Sequence, residues 1–197
     1  MIRQLFFAFL FFTLISCQKK QREPLILPSN GNINTLTVVT SNDLWAGTIG
    51  QTVRDMYAYP SEGLPQQEPL FDLKQIPPEI FTGFARASRS VLWVGLNDEV
   101  NVRIDKNSYA QPQTVAVFSA PTKTALVESI VSQSAQVIKT LRAQEREERL
   151  RRIKKSAFDK HGLSKKFGIS ITMPSAYKIF KEDENTSWFQ REIQKGH

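Results

Sequence analysis

Short runs of apolar residues, several of them rich in β-branched side chains, recur through the middle of the chain and predict β-strands. Val100, Val102 and Ile104 alternate with polar residues, which is typical of a strand with one buried face. Four prolines around Phe71–Gln75 favour an edge strand there. The predicted strands lie at residues 36–40, 71–75, 90–96, 100–104 and 114–119, with a last group at 169–191.

Two segments have the spacing of helices. Ser41, Asn42 and Asp43 can cap a short helix from Trp45 to Ala58, which Pro60 ends. A much longer helix is predicted at about 122–160, because no glycine or proline interrupts it and Gly162 follows as a stop signal. Its stretch at 142–149 (RAQEREER) has almost nothing to bury, so this part is expected to cross solvent and make contact again near its end.

These elements predict an α+β fold: a mainly antiparallel sheet with one short helix and one very long, partly protruding helix. The folded domain is expected to occupy residues 35–197. Residues 1–34, which precede this domain, have a different composition and are not expected to be part of it.

The amino terminus has the pattern of a bacterial lipoprotein signal. Residues 1–16 combine Arg3 with an apolar run shorter than a membrane-spanning helix. Residues 14–17 (LISC) look like a lipobox, in which Cys17 would take acyl chains such as palmitate and become the new amino terminus. Residues 17–34 then form the acylated cysteine and a tether. Gln18 favours sorting to the outer membrane, with the periplasmic face preferred to the cell surface.

The amino-acid composition limits the kinds of site that the chain can form. With one cysteine and two histidines, the chain cannot build an internal disulfide or a multi-histidine metal site, and no metal or cofactor is expected. Residues 139–166 carry 11 Lys and Arg against four Asp and Glu, a net charge of +7 that equals the charge of the whole chain. A lipid-anchored envelope protein rarely meets nucleic acid. A protein partner or anionic lipid is therefore the better candidate ligand, with Arg149 and Arg152 as contacts. The alternative is a solvated helix face that binds no partner.

The leading hypothesis is a noncatalytic, lipid-anchored envelope protein that has a structural or partner-binding role. One alternative is a module that binds a glycan or lipid through Asn42, Asp43 and Trp45. A hydrolase that uses the carboxylates of Asp43 and Asp55 is a third reading. No GxSxG, GxGxxG or GK[ST] motif accompanies these residues, so the sequence predicts no catalytic residues.

Four stretches resemble an uncharacterised lipoprotein family of the Bacteroidetes, a domain of unknown function. They are NDLWAG (42–47), GLPQQEPLF (63–71), IPPEIFTG (76–83) and YAQPQ (109–113), and they occur in the family's order. The family has no assigned activity, so the resemblance supplies no site residues. Members usually continue for a second half after a Trp-containing strand like the one around Trp188, so this chain is expected to match the N-terminal half.

Overall fold

The computed structural model describes residues 26–61, 63, 65–158 and 161–193; the predicted signal peptide, Cys17 and the first part of the tether lie outside them. Five strands form the central sheet, in the order β3-β2-β4-β7-β5, and two pairs of short strands lie apart from it. The strands are β1 (Leu27–Pro28), β2 (Thr35–Val39), β3 (Asp72–Ile76), β4 (Ser90–Leu96), β5 (Asn101–Lys106), β6 (Ala110–Gln111), β7 (Thr114–Ala120), β8 (Lys178–Glu182) and β9 (Ser187–Gln190).

The central sheet is mixed, so the prediction of a mainly antiparallel sheet is wrong. Strands β3, β2, β4 and β7 run parallel, and only the edge strand β5 is antiparallel to its neighbour β7. Parallel neighbours need crossover connections, and here those connections cover both faces of the sheet. The α+β class and the very long helix are confirmed.

Two short helices form the first crossover. Ser41 caps α1 (Asn42–Ala46) by accepting a hydrogen bond from the Leu44 amide at 3.4 Å, and α2 (Thr48–Tyr57) follows after Gly47. The sequence predicted one helix where the structure has two. Helix α2 buries Ile49, Val53 and Tyr57 against the sheet.

The other face of the sheet is covered by an irregular segment with two 3₁₀ turns, Pro78–Ile80 and Gly83–Ala87. Phe81 from this segment is buried and packs edge-on against Trp93 and Tyr109, with ring centroids 5.7 and 5.5 Å away. The proline-rich sequence 76–83 thus supplies a crossover without an α-helix.

Helix α3 (Lys123–Lys155) is the longest element, and Thr122 caps it by accepting a hydrogen bond from the Ala125 amide. At about 1.5 Å per residue its 33 residues extend about 50 Å. The structure ends this helix five residues before the predicted boundary. Gly162 is not the stop signal, because it lies inside α4 (His161–Phe167). Gly168, just after α4, has a positive φ.

The distal part of the chain packs on the end of α3. Backbone bonds join Ser156 to Ser175 and Phe158 to Met173, and the Phe158 ring lies 5.9 Å from that of Phe189 in β9. Strands β8 and β9 form an antiparallel hairpin there. Within the described residues, no helix is both long enough and apolar enough to cross a membrane.

Candidate functional site

The middle of α3 is fixed to the body by a buried carboxylate. Glu145 receives two hydrogen bonds of 2.9 Å from the Arg89 guanidinium, one of 2.7 Å from the Ser90 hydroxyl and one of 2.9 Å from the Asn34 amide. Side chains of Arg89 and Glu145 are both 2% exposed. A buried ion pair tolerates such desolvation only when its remaining polar atoms are also bonded, and here they are.

The same arginine holds the segment that enters the fold from the amino terminus. Its Nη1 and Nη2 donate to the carbonyl oxygens of Gly31 and Asn32 at 3.2 and 2.7 Å. Arg152 donates to the Gly31 carbonyl at 2.8 Å as well. The chain therefore enters the folded body beside the basic half of α3.

Glu148 is a second acidic residue of α3 with little exposure. Arg151 and Arg152 donate to it at 2.6 and 2.7 Å, and Arg89 lies 3.9 Å away. The hydrogen bond from Arg151, aided by that from Arg152, lowers the pKa of Glu148 from its ordinary 4.5 to about 2, although burial opposes the shift. Glu148 and Arg152 thus form an ion pair one helical turn apart. The expectation that 142–149 has nothing to bury is wrong, because Gln144, Glu145 and Glu148 are all buried.

A groove of about 940 Å³ lies along one flank of α3, between this helix and the end of α2 with residues 59–61. Its apolar lining includes Met56, Leu70, Val131 and Ile138. Val131 is 53% exposed and lies next to Ile130, which is fully buried against the sheet. A concave surface with an apolar lining and a few polar groups is the usual form of a binding site.

Four cationic side chains line the same groove, toward the carboxyl-terminal end of α3. They are Lys139, Arg142, Arg146 and Arg149, with a helical spacing that places them in a row about 15 Å long. None of the four pairs with a carboxylate among the residues that the structure describes. Asp55 is the acidic residue in the lining, and it accepts a hydrogen bond from Gln51 at 2.7 Å. The groove therefore combines an apolar half with a cationic half.

The two arginines predicted as contacts differ in their surroundings. Arg149 lines the groove with its charge unpaired within the described residues, whereas Arg152 is bound to Glu148 and to the Gly31 carbonyl. The structure thus gives Arg149 a free surface and gives Arg152 a role in holding the entering segment.

Asn42, Asp43 and Trp45 lie elsewhere, where β2 ends. In open sheets with parallel strands this carboxyl edge is where ligands bind. The Asn42 amide oxygen accepts a hydrogen bond from Gln75 at 3.1 Å, and the Arg54 guanidinium lies 4.7 Å from the centre of a Trp45 ring. These groups are used within the protein, and the glycan- or lipid-binding role remains a prediction.

Sequence reasoning missed the residues that organise the site. Arg89 belongs to no recognisable motif. Its burial depends on Glu145, which lies 56 residues later in the chain. Gln113 is also fully buried: its amide receives bonds from the Tyr109 and Ala110 amides and donates to the Arg86 and Ser88 carbonyls. It closes the YAQPQ stretch, which therefore has a structural use.

Among the residues that the structure describes, no three His, Cys, Asp or Glu side chains are grouped so that they could hold a metal ion. The fold and the groove define an α+β domain with a groove that basic residues line in part. The family model of a domain of unknown function, DUF8532, matches residues 29–154, and the chain belongs to that family. The match begins just before the entering segment and ends in the last turn of α3. No curated protein and no solved structure matches the chain.

Proposed function

We propose that this protein is a noncatalytic, lipid-anchored protein of the cell envelope that binds an acidic partner in the groove along α3. Cys17 would carry the acyl chains, and the outer membrane, on its periplasmic side, would be the location. The observation that carries the binding role is the row of cations, unpaired within the described residues, beside an exposed apolar surface.

A row of like charges on one helix face is unfavourable in the free protein. Arg142, Arg146 and Arg149 are spaced by four and three residues, which is the spacing at which like charges repel each other. A ligand with carboxylate or phosphate groups would remove this repulsion. Arginine suits such a ligand because its planar guanidinium can form two parallel hydrogen bonds with either group.

The position of the entering segment supports the proposed anchor. Eight residues lie between Cys17 and Ile26, where the described chain begins, and the nine steps from Cys17 to Ile26 span at most about 30 Å when extended. The bonds from Arg89 and Arg152 hold the following residues against α3. A lipid at Cys17 would therefore keep the groove close to the membrane surface, where an envelope partner is at high effective concentration.

The anchor is tested by feeding cells a labelled fatty acid and comparing the parent with Cys17→Ser. We expect label in the parent, none in the variant, and release of the variant from the membrane fraction. Ser16→Ala is the matched control, because it keeps a small residue before the cysteine and should still be labelled. An unlabelled parent would refute the lipid anchor.

The groove is tested with a photo-crosslinking amino acid in intact cells, placed at Arg149 inside the groove or at Gln133 on another face of α3. Adducts are expected at position 149 and should fall when Arg142→Glu and Arg146→Glu are added. Position 133 should give background only. Equal adducts at both positions, or adducts that ignore the charge reversal, would argue against this binding surface.

A further inference from the structure

An exposed aromatic pair lies on the distal hairpin. Phe180 is 64% exposed and Trp188 is 57% exposed, and their ring centroids lie 5.4 Å apart. Exposed aromatic residues that pack against each other are typical of contact surfaces between proteins, because each buries a large apolar area at a small entropic cost. The pair is flanked by a turn with three consecutive carboxylates, Glu182, Asp183 and Glu184.

These carboxylates are accessible. Lys181 lies 3.8 Å from Asp183 in an exposed ion pair, which contributes little and is readily exchanged. Lys166, which is 26% exposed, lies 3.5 Å from Glu182 and also donates to the Asp183 carbonyl, and the Ser187 hydroxyl donates to Glu182 at 3.1 Å. Glu184 pairs with no cation among the described residues. The hairpin therefore presents aromatic rings next to negative charge.

We infer that the acidic partner of the α3 groove is a second copy of this chain, whose β8–β9 hairpin inserts its aromatic pair and acidic turn into the groove. This inference rests on the proposed function, because it assigns the occupant of the same surface. The two surfaces are complementary: the groove is apolar at one end and cationic at the other, and the hairpin is aromatic and then acidic.

The spacing of the two surfaces also agrees. Glu182 lies two residues beyond Phe180, or about 7 Å along the strand. Arg142 lies four residues beyond Ile138, or about 6 Å along the helix. With Phe180 and Trp188 against Ile138 and Val131, the acidic turn reaches Arg142 and Arg146. The groove is an open trough, so a hairpin can enter it and keep its other face in water.

A copy cannot fill its own groove in the conformation described. The hairpin is held at the end of α3 by the bonds at Ser156 and Phe158, and no residue of 161–193 lines the groove. The contact is therefore between copies, either as a reciprocal pair or as a chain of copies, since groove and hairpin are different surfaces.

The test uses two differently tagged full-length copies, expressed together in cells. One copy carries Ala135→Cys in the groove and the other carries Asn185→Cys in the hairpin turn, and a short bis-maleimide joins them. A strong heterodimer band is expected. The matched control moves the first cysteine to Gln133, on another face of α3. Copies without an introduced cysteine give the background from Cys17.

Charge reversal decides the assignment. Arg142→Glu with Arg146→Glu in the groove copy should reduce the crosslink at least about tenfold, because attraction becomes repulsion. Adding Glu182→Lys with Glu184→Lys to the hairpin copy should restore it. Thermal unfolding of each variant shows whether the exposed substitutions leave the fold intact. Restoration by the reversed pair cannot come from a general loss of folding.

Two results would overturn the inference: no heterodimer above the Gln133 control, or a heterodimer that is indifferent to both charge reversals. If the groove cysteine joins a different envelope protein in a charge-dependent way, the second copy is the wrong occupant and the proposed function stands. If Cys17 carries no acyl chain but the copies still pair, the anchor fails and the contact between copies stands.

Discussion

Arg89 and Glu145 face each other in a buried, two-point ion pair that joins the start of β4 to the middle of α3. Both hydrogen bonds are 2.9 Å long, and 56 residues separate the two partners along the chain. Ser90 and Asn34 complete the bonding of the carboxylate. The pair fixes which face of α3 meets the sheet, and the adjacent face, about 100° further round the helix, lines the groove.

Removal of the carboxylate should destabilise the protein strongly. In Glu145→Ala the Arg89 guanidinium stays buried without its counter-charge, and we expect a loss of about 3–5 kcal/mol in the free energy of unfolding. Glu147→Ala, at an exposed position two residues away, should change it by about 0.5 kcal/mol or less. Denaturant unfolding measures both.

The double variant Arg89→Met/Glu145→Leu distinguishes two contributions to the free energy of unfolding. One is the cost of a buried charge without a partner, and the other is the net stabilisation by the ion pair. It should recover much of the loss, because apolar residues of similar size need no counter-charge. If Glu145→Ala unfolds no more easily than Glu147→Ala, the pair is not buried in solution as the structure describes.

The positions of the strands could be predicted from the sequence, but the direction in which each strand runs could not. The runs at 90–96 and 114–119 predict strands, and no helical pattern lies between 76 and 90 to indicate a crossover between parallel strands. The useful signal was the continuity of those runs: β7 is buried at every position, which is typical of parallel strands covered on both faces. A chain of 3₁₀ turns can serve as a crossover, and no simple sequence period marks it.

The buried charged residues of α3 could be recognised from their positions on the helix, but not from their hydrophobicity. The buried positions 141, 144, 145 and 148 follow the spacing of one helix face, and they continue the stripe of Ile130, Ser134 and Val137. Glutamates at these positions looked solvated because their partner, Arg89, is distant in sequence. The groove could be predicted only in part: the basic residues were visible, but the apolar half depends on how α2 lies beside α3.

Acid should weaken the fold through Glu148. Its pKa is about 2 in the folded protein and near 4.5 when unperturbed, so the unfolded chain binds the proton more tightly. This contribution to stability is complete above about pH 5.5 and is lost as the pH falls from about 5 toward 2. We expect it to be about 1–3 kcal/mol, since both arginine partners are partly exposed.

The measurement is the free energy of unfolding against pH for the parent and for Glu148→Gln. The variant should lack this part of the pH dependence and should be less stable mainly above pH 5. Glu147→Gln is the control and should follow the parent curve. Parallel curves for the parent and Glu148→Gln would show that the carboxylate is not held by Arg151 and Arg152.

Gly50 should tolerate no side chain. A Cβ built there would lie 1.9 Å from the Trp45 carbonyl oxygen, so α1 and α2 approach each other too closely for alanine. Gly50→Ala should cost about 2 kcal/mol or more, since backbone atoms must move. Gly162→Ala, inside α4 with no atom within 4 Å of the added carbon, should be neutral or slightly stabilising. Thermal unfolding that shows equal effects would refute the close approach.

Tyr57 is a buried residue whose hydroxyl we expect to be dispensable for stability. The side chain is fully buried and the hydroxyl has no hydrogen-bond partner within the described structure. Burial raises the pKa of Tyr57, and the neighbouring Ser134 side chain opposes the rise. The Ser134 hydroxyl itself donates to the Ile130 carbonyl at 2.5 Å. Tyr57→Phe should therefore leave the free energy of unfolding unchanged or raise it by up to about 1 kcal/mol.

Ser90→Ala is the matched comparison for Tyr57→Phe, because it also removes one buried hydroxyl, but one that donates to the Glu145 carboxylate at 2.7 Å. It should cost about 1.5–3 kcal/mol, as expected for a hydrogen bond to a charged group. Urea unfolding of the two variants distinguishes a satisfied hydroxyl from an unsatisfied one. A loss of more than about 1 kcal/mol in Tyr57→Phe would mean that the Tyr57 hydroxyl does find a partner, with Ser134 as the first residue to substitute.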